Sequence, residues 1–282
     1  MNGTRRSLTG APAVRQASSP LPDLDERILR GAAVLVTGAG HGIGREIARR
    51  LARAGARVAA ADIAPGAAAA CVGELEGPPG LAVEVDVADP EPVRRAIDAA
   101  ARAFGGLDVL VNSAGLVHVD RLTELDIETW RRVFRVNVEG TFLTTQAAIA
   151  TMRRQPVDDR LRRRGLVVSL SSRAATSGRP YLAAYGASKA AVNHLAKSCA
   201  MAFEEDEIAA VVVYPGDVRE GMWGELGKRL AEVAGTTVEE VEDERTFQPA
   251  EELAEVVCRA IAVPGMELNG ALVLDSGERT SL

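Results

Sequence analysis

The chain has 282 residues, 47% of them hydrophobic, which allows one large α/β domain or two small ones. Aromatic residues make up only 4%, so Ala, Val, Leu and Ile must fill the core. A net charge of −6 argues against a general nucleic-acid binder, whose sequence-independent affinity comes from neutralising phosphates with Lys and Arg.

Residues 1–30 are rich in Ser, Pro, Gly and Arg and lack the apolar stretch of a secretory signal, so a mobile tail is expected, with the domain spanning 31–282. Apolar strand-like runs then alternate with amphipathic stretches. "AAVLVT" (32–37), "RVAAAD" (57–62), "LAVEVD" (81–86) and "LDVLVN" (107–112) come first. "GLVVSLS" (165–171), "IAAVVVY" (208–214) and "ALVLD" (271–275) follow. Their continuous apolar character fits parallel strands covered on both faces. Between the first two, "IGREIARRLARAG" places Ile43, Ile47 and Leu51 on one helical face and ends at Gly55. "PEPVRRAIDAAARAFGG" starts after an Asp-Pro step and stops at paired glycines. The repetition predicts a single α/β domain: a doubly wound, mostly parallel seven-stranded sheet with helices on both faces, a Rossmann-like three-layer sandwich.

Two segments break the rhythm. The charged stretch 153–165, "RRQPVDDRLRRRG", reads as a solvated loop. Residues 216–249 form an excursion long enough to suggest a substrate lid, with a helical piece near 222–234 presenting Met222, Trp223, Leu226 and Leu230 on one side.

The glycine-rich stretch 34–48, "VLVTGAGHGIGREIA", does not match G-x-G-x-x-G, because Ile43 stands where the third glycine is required. Its spacing is Thr37-Gly38-x-x-x-Gly42-x-Gly44, between a strand and a helix. Glycines there allow a sharp turn and close approach of a pyrophosphate, which the helix N-terminus then receives. Asp62 closes the next strand 18 residues after Gly44, near the offset of about 20 at which a carboxylate accepts the adenosine ribose hydroxyls. Such a carboxylate repels a 2′-phosphate, so NAD is expected over NADP. Its alternative role is capping the next helix. His41 in the loop, mostly neutral at pH 7, does not reverse that expectation.

Taken in order, these and later motifs resemble the short-chain dehydrogenase/reductase family over about residues 31–277. The loop of Gly38, Gly42 and Gly44 looks like that family's cofactor loop, Asp86 in "DVAD" like its carboxylate near the adenine, and "NSAG" (112–115) like its Asn-Asn-Ala-Gly strand end. Asn137 in "VNVEG", Ser172, and Tyr185 with Lys189 in "YGASK" match its catalytic residues, and "YPG" (214–216) its Pro-Gly turn. The resemblance implies a cofactor site drawn from Gly38, His41, Gly42, Ile43, Gly44 and Asp62. Asp86, Val87, Asn112, Ala114 and Gly115 continue it, and Tyr185, Lys189, Pro215, Gly216 and Val218 complete it. Departures from the pattern are Ala209 and Val211 where Arg and Asn are common, Glu220 for a threonine, and Asp275-Ser276-Gly277 for Asp-Gly-Gly.

The chemistry suits the residue types. Tyr185 and Lys189, four apart, share a helix face. A nearby ammonium favours the phenolate of a group with a pKa of about 10, so Tyr185 is expected to move the hydroxyl proton while hydride moves at the cofactor. Ser172 would hold the substrate oxygen, with neighbouring Ser171 a rival for that role. By resemblance, Asn137 anchors a proton-relay water and Lys189 holds the nicotinamide ribose.

The expected activity is NAD-dependent interconversion of a secondary alcohol and a ketone. "GMW" after the Pro-Gly turn loosely resembles the lid of the family's polyol dehydrogenases, leaving polyols and sugars among the candidates beside acyl, steroid and other ketones. The alternative is an NAD(H)-binding sensor or scaffold without turnover. The resemblance also implies a homotetramer or homodimer built on helices near 126–152 and 183–203. The three scattered cysteines (Cys71, Cys199, Cys258) fit a reducing cytoplasm, and with only three histidines no metal site is expected. No apolar run approaches the roughly 18 residues that span a bilayer, so no membrane partner is expected.

Overall fold

The computed structural model describes residues 19–221, 223–243 and 245–281. Its strands are β1 (Ser19–Pro20), β2 (Ala33–Thr37), β3 (Arg57–Asp62), β4 (Leu81–Glu84), β5 (Val109–Asn112), β6 (Gly165–Leu170), β7 (Ile208–Tyr214), β8 (Asp217–Val218), β9 (Phe247–Gln248), β10 (Ala271–Leu274) and β11 (Glu278–Ser281). The seven apolar runs became β2 to β7 and β10, which pair in parallel in the order β10-β7-β6-β5-β2-β3-β4. The fold is therefore the expected Rossmann-like α/β sandwich.

The strand count differs from the expected seven: among the described residues the main sheet has nine strands. β11 adds antiparallel to β10, and β1 adds antiparallel to β11. Neither carries an apolar signal, because "ERTS" and "SP" pair at the sheet's margin rather than inside the core. The expected tail of residues 1–30 needs the same correction at its end. Its first 18 residues lie outside the described residues. From Ser19 onward the chain is part of the domain, with Leu21 and Leu29 buried and Arg259 donating to the Pro22 carbonyl at 2.8 Å.

Alternating side chains of the central strands feed two cores. Val34, Val36, Val111, Val168 and Val211 face the helices Gly42–Arg53 and Ala250–Ala262, which contribute Ile47, Leu51, Leu253 and Val257. Leu35, Leu110, Val167 and Ala210 face Pro90–Phe104 and Gly140–Met152 through Val93, Ile97, Ala148 and Met152. Burial on both faces explains why these strands read as unbroken apolar runs.

The stretch 153–165 is not simply a solvated loop. Leu161 is buried, and Arg163 is 2% exposed. The Arg163 guanidinium donates to the carbonyls of Ile261, at 2.5 Å, and of Val263, and to Gly265 at 3.2 Å. It thereby closes the C-terminus of Ala250–Ala262. A cation placed against free helix-end carbonyls is a tertiary arrangement that local charge density does not reveal.

The excursion 216–249 folds back on itself. It contains helices Trp223–Ala234 and Val238–Asp243, and its ends meet where β8 pairs in parallel with β9. Trp223, Leu230 and Val233 build a small core with Val119. Met222 lies outside the described residues. The chain runs from β2 to β3 to β4 and then crosses to β5 on the other side of β2. That reversal opens a crevice at the C-terminal ends of β2 and β5, where ligands bind in open α/β sheets.

Candidate active site

The crevice is held by short polar links between strand ends. Thr37 Oγ1, at the end of β2, accepts from Ser113 N at 3.1 Å and Ala114 N at 3.2 Å. This brings the segment after β5 against Gly38, whose φ is +64°, and a Cβ there would lie 2.8 Å from the Ala114 Cα. A Cβ on Gly44 would collide with the Gly38 carbonyl. Gly42, at φ +50°, faces the backbone of Glu220 and Gly221 at the start of the lid. The helix Gly42–Arg53 that follows has no side-chain cap, because His41 makes no capping hydrogen bond. Its first N–H groups border the cavity.

This inner cavity, of about 450 Å³, is lined by Gly38, His41, Gly42, Ile43 and Gly44 on one side. Asp62, Asp86 and Val87 line a second side, and Ala114, Gly115, Tyr185, Lys189 and Pro215 a third. Asp62 is buried, its Oδ2 accepting from Gly40 N at 2.8 Å and its Oδ1 from Ala64 N at 2.9 Å. It does not cap the next helix, Ala67–Gly73, whose N-cap Gly66 makes no side-chain hydrogen bond; its backbone partners instead hold it at the cavity wall. Asp86 is fixed by Ala88 N at 2.9 Å.

Three expected cofactor residues stand elsewhere. Asn112 lies behind the cavity: its amide accepts from Thr144 Oγ1 at 2.7 Å and donates to Thr145 Oγ1 at 3.1 Å, tying β5 to the helix Gly140–Met152. Gly216 and Val218 line a neighbouring chamber instead. Ser113, Val136, Leu170, Ser171, Glu220 and Gly221 also line the inner cavity. Of these, Glu220 was marked in sequence only as a departure from the motif, and Gly221 carried no local signal; the segment after the Pro-Gly turn brings both to the cavity.

The second, outer chamber, of about 310 Å³, lies under the lid. Ser172, Tyr181, Leu182, Trp223, Leu226 and Leu230 are among its walls. Tyr185, Ile43, Pro215 and Glu220 border both spaces, so the phenol stands at their junction. Ser171 and Ser172 are separated by the backbone. The Ser171 hydroxyl turns to the helix, donating to the Lys189 carbonyl at 3.3 Å. Ser172 faces the outer chamber, accepts from Ala174 N at 3.1 Å and has its hydroxyl beside the Tyr185 phenol.

Asn137 is fully buried in a π-helical turn, Arg135–Glu139, and lines neither space. Its Oδ1 accepts from Leu116 N at 2.7 Å, and its Nδ2 donates to the Leu116 carbonyl and to Ser188 Oγ, both at 2.9 Å. It clamps the cavity wall to the helix Ala183–Ala202 that carries Tyr185 and Lys189.

The electrostatics correct one expectation. Lys189 Nζ donates to the Leu170 carbonyl at 2.8 Å and lies 5.7 Å from the Tyr185 ring centroid. Burial pushes its ammonium down to about 8. Burial also pushes the half-buried Tyr185 phenol up; the Ser172 hydroxyl opposes this, and the Asp217 carboxylate adds to it. The Lys189 ammonium is held by the Leu170 carbonyl at the end of β6, over the ring, and makes no hydrogen bond with the phenol oxygen among the described residues. The phenol is therefore favoured in its protonated form.

Ala209 and Val211, at the positions where Arg and Asn are common, are buried in the core against Ala250–Ala262. That departure is a packing change beside the site. His118 lies 3.6 Å from Asp120 and lines neither space. Among the described residues no three His, Cys, Asp or Glu side chains gather as metal ligands would, and no helix is long and apolar enough to cross a membrane.

The glycine loop at the strand switch, the uncapped helix above it and the phenol, lysine and serine beside it have a counterpart in sequence. Residues 32–231 match the family described as short chain dehydrogenase. The chain belongs to the short-chain dehydrogenase family. An L-rhamnose 1-dehydrogenase (NAD(P)(+)) from Sphingomonas sp. is 36% identical over 195 residues, 68% of this chain and 74% of that protein. A short chain dehydrogenase from Burkholderia cenocepacia, solved in complex with NADP, is 30% identical with a TM-score of 0.72, over 87% of this chain and 96% of that one. An NAD+-bound xylitol dehydrogenase is 27% identical with a TM-score of 0.75, over 83% of this chain and 93% of that one. As a short-chain dehydrogenase the protein is an oxidoreductase for a nicotinamide nucleotide. The inner cavity fits that group: its glycine loop leaves Cβ-free backbone, and an uncapped helix N-terminus and the Asp62 carboxylate line it, the residues that would hold the phosphates and the ribose.

Proposed function

We propose that this short-chain dehydrogenase interconverts a secondary alcohol and a ketone with NAD, and that Tyr185 is its general acid and base. The observation that carries the reading is the position of Tyr185, between a cavity shaped for a dinucleotide and a separate chamber under a lid. The nicotinamide supplies or accepts the hydride when bound. Ser172, beside Tyr185 and facing the outer chamber, holds the substrate oxygen and stabilises its developing charge. Tyr185, kept protonated by burial, gives its proton to that oxygen in reduction and recovers one in oxidation. Lys189, fixed by the Leu170 carbonyl and facing the inner cavity, is placed to hold the nicotinamide ribose. Asn137 keeps wall and helix in register.

Preference for NAD over NADP is part of the proposal. Asp62 supports it, since its two oxygens are aligned by backbone donors at the cavity wall and a carboxylate there repels a 2′-phosphate. The solved relatives include one with NADP and one with NAD+, so the carboxylate and not the likeness carries this point. Rhamnose and xylitol dehydrogenases among the relatives support a polyol or sugar as one substrate class to try. Assembly as a homodimer or homotetramer completes the proposal.

The test follows absorbance at 340 nm with NADH and NADPH over sugars, ketones, steroids and acyl substrates, with Tyr185→Phe alongside. The expected result is turnover favouring NADH that falls at least 10³-fold in Tyr185→Phe while NADH still binds. Full turnover in Tyr185→Phe would remove its assigned role, and NADPH preference the role of Asp62. NADH binding with no turnover would favour the sensor or scaffold reading.

A further inference from the structure

The outer chamber contains more charge than the proposed hydride chemistry uses. Arg173, Arg179 and Arg245 all border it. Arg173 is neutralised by an ion pair with Asp275. Arg245 pairs with Asp217 at 2.9 Å and lies over the Trp223 ring, 4.8 Å from its centroid. Arg179 has neither an acidic partner nor a carbonyl acceptor among the described residues. Glu220, also without a partner among the described residues, borders both spaces, whereas Arg179 borders the outer one alone. Negative charge thus lies at the junction with Tyr185 and Pro215, and the Arg179 guanidinium lies off that junction, in the outer chamber alone. The walls between are apolar: Leu182, Trp223, Leu226 and Leu230.

The segment carrying Arg179 is held in place. Proline at 180 restricts Arg179 to extended backbone. Tyr181 adopts φ +68°, an uncommon conformation for a bulky side chain, and its carbonyl accepts from Asp120 N at 2.9 Å. Its side chain packs on the cluster of Val119 and Trp223. A strained residue that persists beside a chamber marks a segment whose course its surroundings over-determine.

We infer that this chamber takes a secondary alcohol or ketone bearing a carboxylate at the far end of a short apolar body, and that Arg179 receives the carboxylate. This rests on the oxidoreductase reading above. Such a substrate has one favourable orientation, because reversal would bring its carboxylate against Glu220 and remove it from Arg179. The guanidinium offers paired N–H donors that match a carboxylate. Arg179 is exposed, so solvent screens the pair and the effect is moderate. The contact is the same in ground and transition states, so it is expressed in KM and not in kcat.

The experiment measures NADH oxidation with 5-oxohexanoate and 4-oxocyclohexanecarboxylate, each beside its methyl ester, in the wild type, Arg179→Gln and Arg179→Lys. The acids should be preferred over their esters about 5- to 30-fold in kcat/KM in the wild type. Arg179→Gln should abolish that preference through KM at unchanged kcat for the esters, and Arg179→Lys should restore part of it. Equal use of acid and ester by the wild type, or a preference that survives Arg179→Gln, overturns the inference while leaving the oxidoreductase reading intact. If no compound turns over, calorimetric titration of the two acids into the NADH-loaded protein decides. Binding lost in Arg179→Gln upholds the chamber's anion specificity and counts against the hydride reading, and absence of binding overturns the specificity.

Discussion

Burial of Lys189 between its helix and the end of β6 moves its ammonium from the ordinary 10.5 to about 8. Below pH 8 the lysine is protonated in folded and unfolded chains alike, and the destabilising effect of burying its charge is fully present. Between about pH 8 and 10.5 the unfolded chain holds a proton that the folded chain has released, so stability rises with pH across that window. Denaturant unfolding of the wild type and Lys189→Met at pH 7 and 9.5 checks this. The wild type should gain about 2 kcal/mol relative to the variant, a difference in which the cysteines and tyrosines titrating nearby cancel. No gain would mean that the ammonium is better solvated than the geometry indicates. At this scale the residues proposed for catalysis were legible as Tyr185 and Lys189, four apart, and Ser172. Which of Ser171 and Ser172 faces the chamber was not, because alternate strand residues point opposite ways and the sequence does not label the faces.

At the scale of elements, the helix Ala250–Ala262 ends in carbonyls closed by a side chain that lies about a hundred residues earlier in the chain. Arg163 supplies the donors, and burial pushes its guanidinium down to about 10, with Asp108 and Asp158 opposing that shift. Arg163→Met keeps most of the apolar stem and leaves those carbonyls unpaired, so the variant should lose about 2–4 kcal/mol of unfolding free energy. Its NADH affinity should be unchanged, because Arg163 lines neither cavity. An unchanged denaturation midpoint would show that solvent caps the helix equally well. The run of arginines in 153–165 suggested solvent exposure; the contact with a distant helix end reverses that for one of them. The excursion 216–249 was legible as a long insertion between two strands. Its folding back was not, because Glu242 of the helix Val238–Asp243 accepts from Arg219, before the helix Trp223–Ala234, and from Trp223 Nε1, at its start, both at 2.8 Å, contacts about 20 residues apart in the chain.

For the whole molecule, exposed apolar side chains mark a surface suited to self-association. Phe142, on Gly140–Met152, is 45% exposed, and Met201, on Ala183–Ala202, is 50% exposed. These are the helices whose small residues suit close packing between copies. Size-exclusion chromatography with light scattering should give a dimer or tetramer of the 29.7 kDa chain, and Phe142→Asp should shift it toward monomer. A monomeric wild type would remove the assembly from the proposal.

By itself the sequence determined the order of strands and helices, the parallel sheet, the glycine loop and the short-chain dehydrogenase motifs. Each of these is encoded by residues close together in the chain: apolar runs, i to i+4 faces, and glycines where a Cβ would clash. Only the tertiary structure decided the two marginal strands, the incorporation of residues 19–30 and the chamber that brings Arg179, Trp223 and Glu220 around Tyr185. It also decided that burial, not the neighbouring ammonium, dominates the phenol. Those outcomes depend on desolvation and on contacts between distant segments, which exist only once the chain has folded.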